Sequence, residues 1–586
     1  MGSKVSYPYQ DSALSIEQRV ADLLSRMTLQ DKAGLMFHDM IIVGPGGTLT
    51  GADNHIRRPA TVDAVQGLRM NHFNVLGPLG DTRDFAQWHN RVQELALQTP
   101  LGIPISLSTD PRHAFTSNLG TAAAAGTLSQ WPETLGLAAL RDPAVVERFA
   151  DIARQEYVAA GLRVALHPQI DLSTEPRWAR TSGTFGEDAD LTSELGAAYI
   201  RGFRGSDWHS GVSTMAKHFP GGGPQKDGED PHFPYGKEQV YPGGRFDYHL
   251  QPFLAALEAG VTQIMPYYGV PVGTEYEEVA FGFNRGIITD LLRERLGFDG
   301  IVCTDWNLLV DGEFLGEPME ARAWGIESLS THDRALRAIE AGVDQFGGES
   351  HPELLIDLVS QGRLPESRLD ESVRRLLAEK FRLGLFDNPF VDVEHAVATV
   401  GRSDFVEAGR AAQRAALVRL TESSGSAALP LAPGLRVYTE GLDDGEAARL
   451  GTVVGSPAEA DVAVLRLRAP FEPRPGRFES MFHAGSLEYP ADELDRVLAV
   501  CEAVPTIVDV YLDRAAVLTE IASVAAVLIV DFGAEDAALV DVLLGAATAR
   551  GRLPFDLPRS MAAVEASAED APFDTADPLF RFGAGL

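Results

Sequence analysis

The chain has 586 residues, with 50 Lys and Arg against 83 Asp and Glu, a formal net charge of −33. Its 45% hydrophobic and 23% charged content is that of a folded globular protein and excludes wholesale disorder or a collagen-like repeat. So acidic a chain lacks the positive potential that holds DNA, RNA or an anionic membrane, so the expected partner is a neutral polar molecule, with no nucleic acid and no membrane.

Only two cysteines occur, Cys303 and Cys501, too few for a disulfide framework or a cysteine-built zinc site. No run approaches the ~20 apolar residues of a membrane-spanning helix. Residues 1–15 lack the apolar core of a secretory leader. These features make a cytoplasmic location the expectation. No oligomeric state is read from the sequence.

Up to about residue 390, short β-type runs alternate with longer helical patterns. Seven runs read as strands: 72–76, 103–107, 162–166, 211–215, 261–265, 300–303 and 341–344. Repeated βα units predict a mainly parallel sheet, and with a weaker eighth strand the economical closure is a (β/α)8-like barrel. Around residues 386–391 the helical pattern stops at a turn-like cluster. Beyond it, 436–438, 460–467, 505–511 and 525–530 read as nearly continuous apolar strands, buried on both faces. The fold class expected is α/β, a TIM barrel over residues 1–390, a linker over 391–405 and an α/β sandwich over 406–586.

Polar side chains recur just past the barrel strands, at Asp110, His167, Asp171, Lys217, His218, Tyr267, Tyr268 and Asp305. In such a barrel the active site lies at the C-terminal strand ends. Asp305 precedes Trp306, so a carboxylate able to attack a sugar carbon stands beside a ring on which a pyranose can pack. The alternative for Asp305 is capping of the following helix. Lys217 and His218 bring adjacent donors before a Gly-rich run that permits close backbone approach. Glu175, Arg177 and Arg180 interleave a carboxylate with guanidiniums, either to grip vicinal hydroxyls or as a buried ion pair.

These residues, with Leu24 to Lys32, Pro176–Arg180, Lys217–His218–Phe219, Thr304–Asp305–Trp306, Gly551–Phe555 and Asp577–Gly585, resemble glycoside hydrolase family 3 along nearly the whole chain. The resemblance implies a retaining exo-β-glycosidase, most simply a β-glucosidase, with Asp305 as nucleophile. It places Asp110, Arg180, Lys217, His218 and Tyr268 at the terminal sugar, with Trp306 packed against the ring. It implies no metal and no organic cofactor.

For the acid, two-domain relatives use a Glu on a loop of the second domain. Glu472 follows the 460–467 strand at the best spacing, with Glu479 and Glu488 further along. A single-domain branch uses an Asp-x-His pair instead, and Asp230-Pro231-His232 resembles it with a spacing from Lys217 two residues longer. The sequence reading ranks Glu472 first and His232 with Asp230 second. The competing functions are β-N-acetylglucosaminidase or phosphorylase activity through that pair, and a sugar-binding protein without turnover.

Overall fold

The computed structural model describes residues 7–53, 58–118, 121–423 and 425–586. Eight strands close a parallel barrel in the spatial order Phe37–Ile42, Gln345–Gly347, Ile301–Trp306, Gln263–Pro266, Ser213–Phe219, Leu162–Ala165, Ser106–Thr109 and His72–Leu76. Every pairing around the ring is parallel. The helices between them start where the sequence supplies caps. Asp81, Asp142, Asp188 and Ser330 each accept from the first-turn backbone N–H groups of the helix they precede. Gly161 and Gly342 end two of these helices at positive φ, which glycine adopts without a Cβ penalty.

Two sequence expectations shift here. Residues 341–344, read as a strand, hold a helix end and its Gly342 turn, and the strand is Gln345–Gly347. The eighth strand is Phe37–Ile42, which opens the barrel. Its His38 and Asp39 are buried on opposite faces, so polar residues at its beginning hid a buried strand.

The second sheet runs Val418–Glu422, Val527–Asp531, Thr506–Tyr511, Val462–Arg468, Arg436–Glu440, Thr452–Val453. All neighbours are parallel except the first pair. Alternate residues feed two cores: Ala463, Leu465, Val508 and Val510 on one face, Val462, Val464, Ile507 and Ile529 on the other. Leu135 and Ala139 of the barrel-side helix Thr134–Leu140 join the first of these cores, so the two halves share packing. Residues 391–405 are not an open link: helix Val393–Thr399 lies inside them, and Ser403–Ala416 begins there. Among the described residues no helix is long and apolar enough to cross a membrane.

The barrel closes where Phe37 and Phe346, both fully buried, stack with centroids 5.2 Å apart. We expect Phe346→Ala to cost about 3–5 kcal/mol in chemical denaturation, the usual range for emptying a buried aromatic site. A loss below about 1 kcal/mol would mean the seam repacks freely.

Candidate active site

Asp305 lies near the C-terminal end of strand Ile301–Trp306 with 7% of its surface exposed. Its Oδ1 accepts from the Tyr268 hydroxyl at 2.8 Å and from the Trp306 N–H at 2.8 Å. Its Oδ2 takes no hydrogen bond among the described residues and lies 3.7 Å from His218 Nε2. One oxygen is therefore held and the other left available. Burial, then the Asp305 charge, pushes the Tyr268 phenol well above its ordinary range, so it stays a donor.

Neighbouring strands supply the polar wall. Lys217 Nζ donates to Asp110 Oδ1 at 3.1 Å, and Asn74 Nδ2 to Asp110 Oδ2 at 3.0 Å. Arg180 Nη1 lies 2.9 Å from His218 Nε2, and His218 Nδ1 lies 2.7 Å from Asp171 Oδ2. A guanidinium only donates, so Nε2 accepts and the proton sits on Nδ1, facing Asp171. Burial, Arg180 and Lys217 together hold the His218 pKa well below its ordinary value. His218 is a neutral, oriented imidazole. Burial raises Asp171 to about 6 against its three hydrogen-bond donors.

The segment after the Gly-rich run brings a second buried pair. His232 Nδ1 lies 2.6 Å from Asp230 Oδ1, which also accepts the His232 backbone N–H at 3.0 Å. Asp230 Oδ2 accepts from Trp178 Nε1 at 3.1 Å and from the Tyr267 hydroxyl at 3.2 Å. The His232 ring meets Tyr268 edge-on, 4.7 Å between centroids, one ring away from Asp305. Burial lowers the His232 pKa, against the pull of Asp230 and with the help of Arg322 and Arg180. Burial alone would raise Asp230, but His232 and Arg180 hold it low. The pair is thus carboxylate and neutral imidazole at pH 7, with Nε2 making no hydrogen bond among the described residues.

The structure brings together Asp110, Arg180, Lys217, His218, Tyr268, Asp305, Trp306, Asp230 and His232. The second-domain glutamates make no hydrogen bond or ion pair with them among the described residues. Glu472 is exposed; its N–H pairs with Ala484 O at 2.9 Å, and its carboxylate lies against Gly485. Glu479 Oε1 accepts from the Tyr235 hydroxyl at 2.5 Å on the rim, and Glu488 is exposed. The loop turns because buried Arg514 gathers the carbonyls of Pro470, Ala484, Gly485 and Ser486, which pins its base. What that loop delivers is aromatic: Phe482 lies 4.9 Å and Phe478 5.9 Å from the His232 ring.

Sequence reasoning missed Asn74, Arg322 and Phe478, which line the pocket with Asp110, His232, Tyr268 and Trp306. Asn74 alone carried a signal, since it lies on a strand already recognised. A wider cleft of about 1030 Å³ between the two halves reaches Arg180 and Lys217 from the other side.

Residues 65–378 match the family model described as glycosyl hydrolase family 3 N terminal domain, and residues 289–586 the one described as its C-terminal domain. The chain is 52% identical over 581 residues to probable beta-glucosidase C of Aspergillus oryzae, covering 99% of this chain and 91% of that one. It is 41% identical over 603 residues to the periplasmic beta-glucosidase/beta-xylosidase of Dickeya chrysanthemi, again covering 99% and 91%. The structure of a beta-glucosidase from Listeria innocua in complex with glucose superposes with a TM-score of 0.76 at 21% identity, covering 97% of this chain and 83% of that one, a likeness of fold. The periplasmic relative overturns the expectation of a cytoplasmic location; missing apolar character in residues 1–15 was too weak a ground for it.

The two imidazoles make a direct test. With selectively labelled histidine, both midpoints should lie below 6.5, that of His218 well below it. A His218 midpoint near 6.5 would refute the tautomer assigned to it.

Proposed function

The chain belongs to glycoside hydrolase family 3 and is an exo-acting β-glucosidase, and we propose that it works through Asp305 as nucleophile and the Asp230–His232 pair as acid and base. In this reading Asp110, Arg180, Lys217 and His218 bind the hydroxyls of the terminal sugar, Trp306 packs on its face, and Tyr268 positions the nucleophile. Residues 1–390 form the catalytic unit, 391–405 the connection, and 406–586 a unit that walls the site.

The reaction retains configuration. Asp305 Oδ2 attacks the anomeric carbon as the glycosidic C–O bond breaks, and the leaving oxygen takes the proton from Nε2 of protonated His232. The neutral imidazole then draws a proton from water, whose oxygen displaces Asp305 and returns both residues to their starting state. The Asp230 carboxylate stabilises the imidazolium and fixes its ring, as a buried carboxylate does for any acid–base histidine. The observation that carries the reading is His232 itself, buried one ring from the nucleophile, with Nε2 free and Nδ1 anchored.

Three variants test it on aryl and alkyl β-glucosides. Asp305→Asn should abolish turnover, and no covalent glycosyl-enzyme should form with a slow 2-fluoro substrate. His232→Gln should lose about 10²–10⁴-fold in kcat/KM on alkyl glucosides, and far less on a dinitrophenyl glucoside whose leaving group needs no proton. Glu472→Gln should change either rate by less than about threefold, as for an exposed loop carboxylate. The acid form of His232 is lost as pH rises through a pKa below 6.5, so kcat/KM should fall on the alkaline side from below that pH. An alkaline limb that survives in His232→Gln and vanishes in Glu472→Gln would return the acid role to Glu472.

A further inference from the structure

Arg322 sits where the segments carrying Asp305 and His232 meet. It is buried, with 2% of its surface exposed, yet none of the groups its guanidinium contacts is a carboxylate. Nη1 donates to Trp306 O at 3.2 Å, Nε to His232 O at 3.4 Å, and Nη2 lies 3.0 Å from Met319 Sδ. The guanidinium covers the Tyr268 ring at 5.2 Å from its centroid. A buried cation without a paired anion is costly to keep. We propose that Arg322 is a positioning residue: by holding the Trp306 carbonyl it leaves the one hydroxyl proton of Tyr268 to Asp305. The inference rests on Asp305 as the nucleophile and does not require His232 to be the acid.

Tyr268 has more neighbours than protons. Its hydroxyl oxygen lies 2.8 Å from Asp305 Oδ1, 2.9 Å from Trp306 O and 2.8 Å from Trp306 N. The Trp306 N–H donates to it, so its own single proton has two acceptors to choose between. An ionised carboxylate is the stronger acceptor, which favours Asp305. A carbonyl left without a donor in a desolvated site opposes that choice, and Arg322 Nη1 is the donor that answers it. Without Arg322, carbonyl and carboxylate compete for one proton, and Oδ1 is held only part of the time. The carboxylate then loses the bond that fixes its plane, and Oδ2 its aim at the anomeric carbon.

The backbone around this carbonyl is held from both sides. Asn307 takes a φ of 58°, a left-handed conformation that asparagine tolerates better than most residues. Its N–H donates to Gly347 O at 3.0 Å, and its O accepts the Arg322 N–H at 3.0 Å. Two residues on, Trp324 Nε1 donates to Pro231 O at 2.8 Å, so residues 322–324 grip the His232 segment twice. The Arg322 charge therefore stands beside His232, where it acts on the imidazole with Arg180 and against Asp230. The Tyr268 phenol and the His218 ring also face that imidazole.

A double-mutant cycle reads this directly. On a dinitrophenyl β-glucoside, kcat/KM reports attack by Asp305 with no need of a proton donor. Arg322→Met should lower it about tenfold, the size of one charge-assisted hydrogen bond. In a Tyr268→Phe background the same change should cost less than about twofold, because the proton that Arg322 directs is gone. Arg322→Lys keeps the charge but not the planar fork, so it should lose rate in the same way, and it covers the case in which the methionine variant fails to fold. With labelled histidine, the His232 midpoint should rise in Arg322→Met, where a neighbouring cation is lost, and stay near the wild-type value in Arg322→Lys. Losses that add in the cycle, or a methionine variant as fast as the wild type, would overturn the inference while leaving the β-glucosidase reading intact. So would an unmoved His232 midpoint in the methionine variant. Turnover that survives in Asp305→Asn would instead overturn the nucleophile assignment on which the inference rests.

Discussion

Asp171 has no solvent exposure, and its two oxygens accept from the His218 backbone, the His218 ring and the Gly222 N–H. Taking an ionised carboxylate out of water costs several kcal/mol unless donors replace the lost solvation. Those three donors, with the nearby charges of Arg180 and Lys217, supply that replacement. The arrangement fixes more than one residue. It sets the His218 tautomer, which aims Nε2 at Arg180, which in turn holds the guanidinium against the sugar pocket. Geometry enforces the same point at Gly222 and Gly223. A Cβ on Gly222 would lie 2.8 Å from Tyr267 and 3.1 Å from Asp171 Oδ1, and one on Gly223 would strike Leu172 O at 1.7 Å. The Gly-rich run thus brings the backbone to the Asp171 strand end, rather than to a ligand.

Around that anchor the two halves of the molecule divide the work by polarity. The barrel carries the clustered charged groups Asp110, Arg180, Lys217 and Asp305, because strand ends converge and their backbones are held rigidly. The second half contributes rings. Phe478 and Phe482 arrive on a loop, and a loop positions a bulky ring by packing more readily than it positions a carboxylate to fractions of an ångström. Their contacts also keep water from His232, and loss of solvation is the largest influence on its proton affinity. On the proposed reading the second domain shapes the chemistry without supplying a reacting atom.

Much of this was legible in the sequence, for identifiable reasons. Apolar runs bounded by turns marked strands 72–76 and 162–165 closely, because both are buried and regular. Strand Phe37–Ile42 escaped because buried His38 and Asp39, on its two faces, break the apolar pattern. Strand Val418–Glu422 escaped because it is an edge strand whose exposed positions carry Arg419, Thr421 and Glu422. At the site, residue types and their place on strand ends were readable, so Asp305, Lys217 and Asp110 were found. Partnerships were not. Arg322 reaches Trp306 O and the His232 carbonyl across distant segments, and nothing in the sequence near Arg322 announces that. Glu472 shows what loop spacing leaves open. Its spacing from the preceding strand was right for a loop carboxylate, but spacing along a loop does not fix its direction, and Arg514 turned the loop.

A buried imidazole suits the acid role for a reason independent of any comparison. The acid has to release a proton in one step and recover it in the next, so its affinity should lie between those of the leaving oxygen and water. An imidazole that is desolvated by Phe482 and Tyr268 yet faces Asp230 has opposing influences on its proton, and small movements of either neighbour retune it. Trp178 and Tyr267 occupy the second oxygen of Asp230, leaving its first oxygen directed at Nδ1, while His232 and Arg180 keep the carboxylate ionised. On the proposed reading the acid depends on five side chains of the barrel and one ring from the second domain.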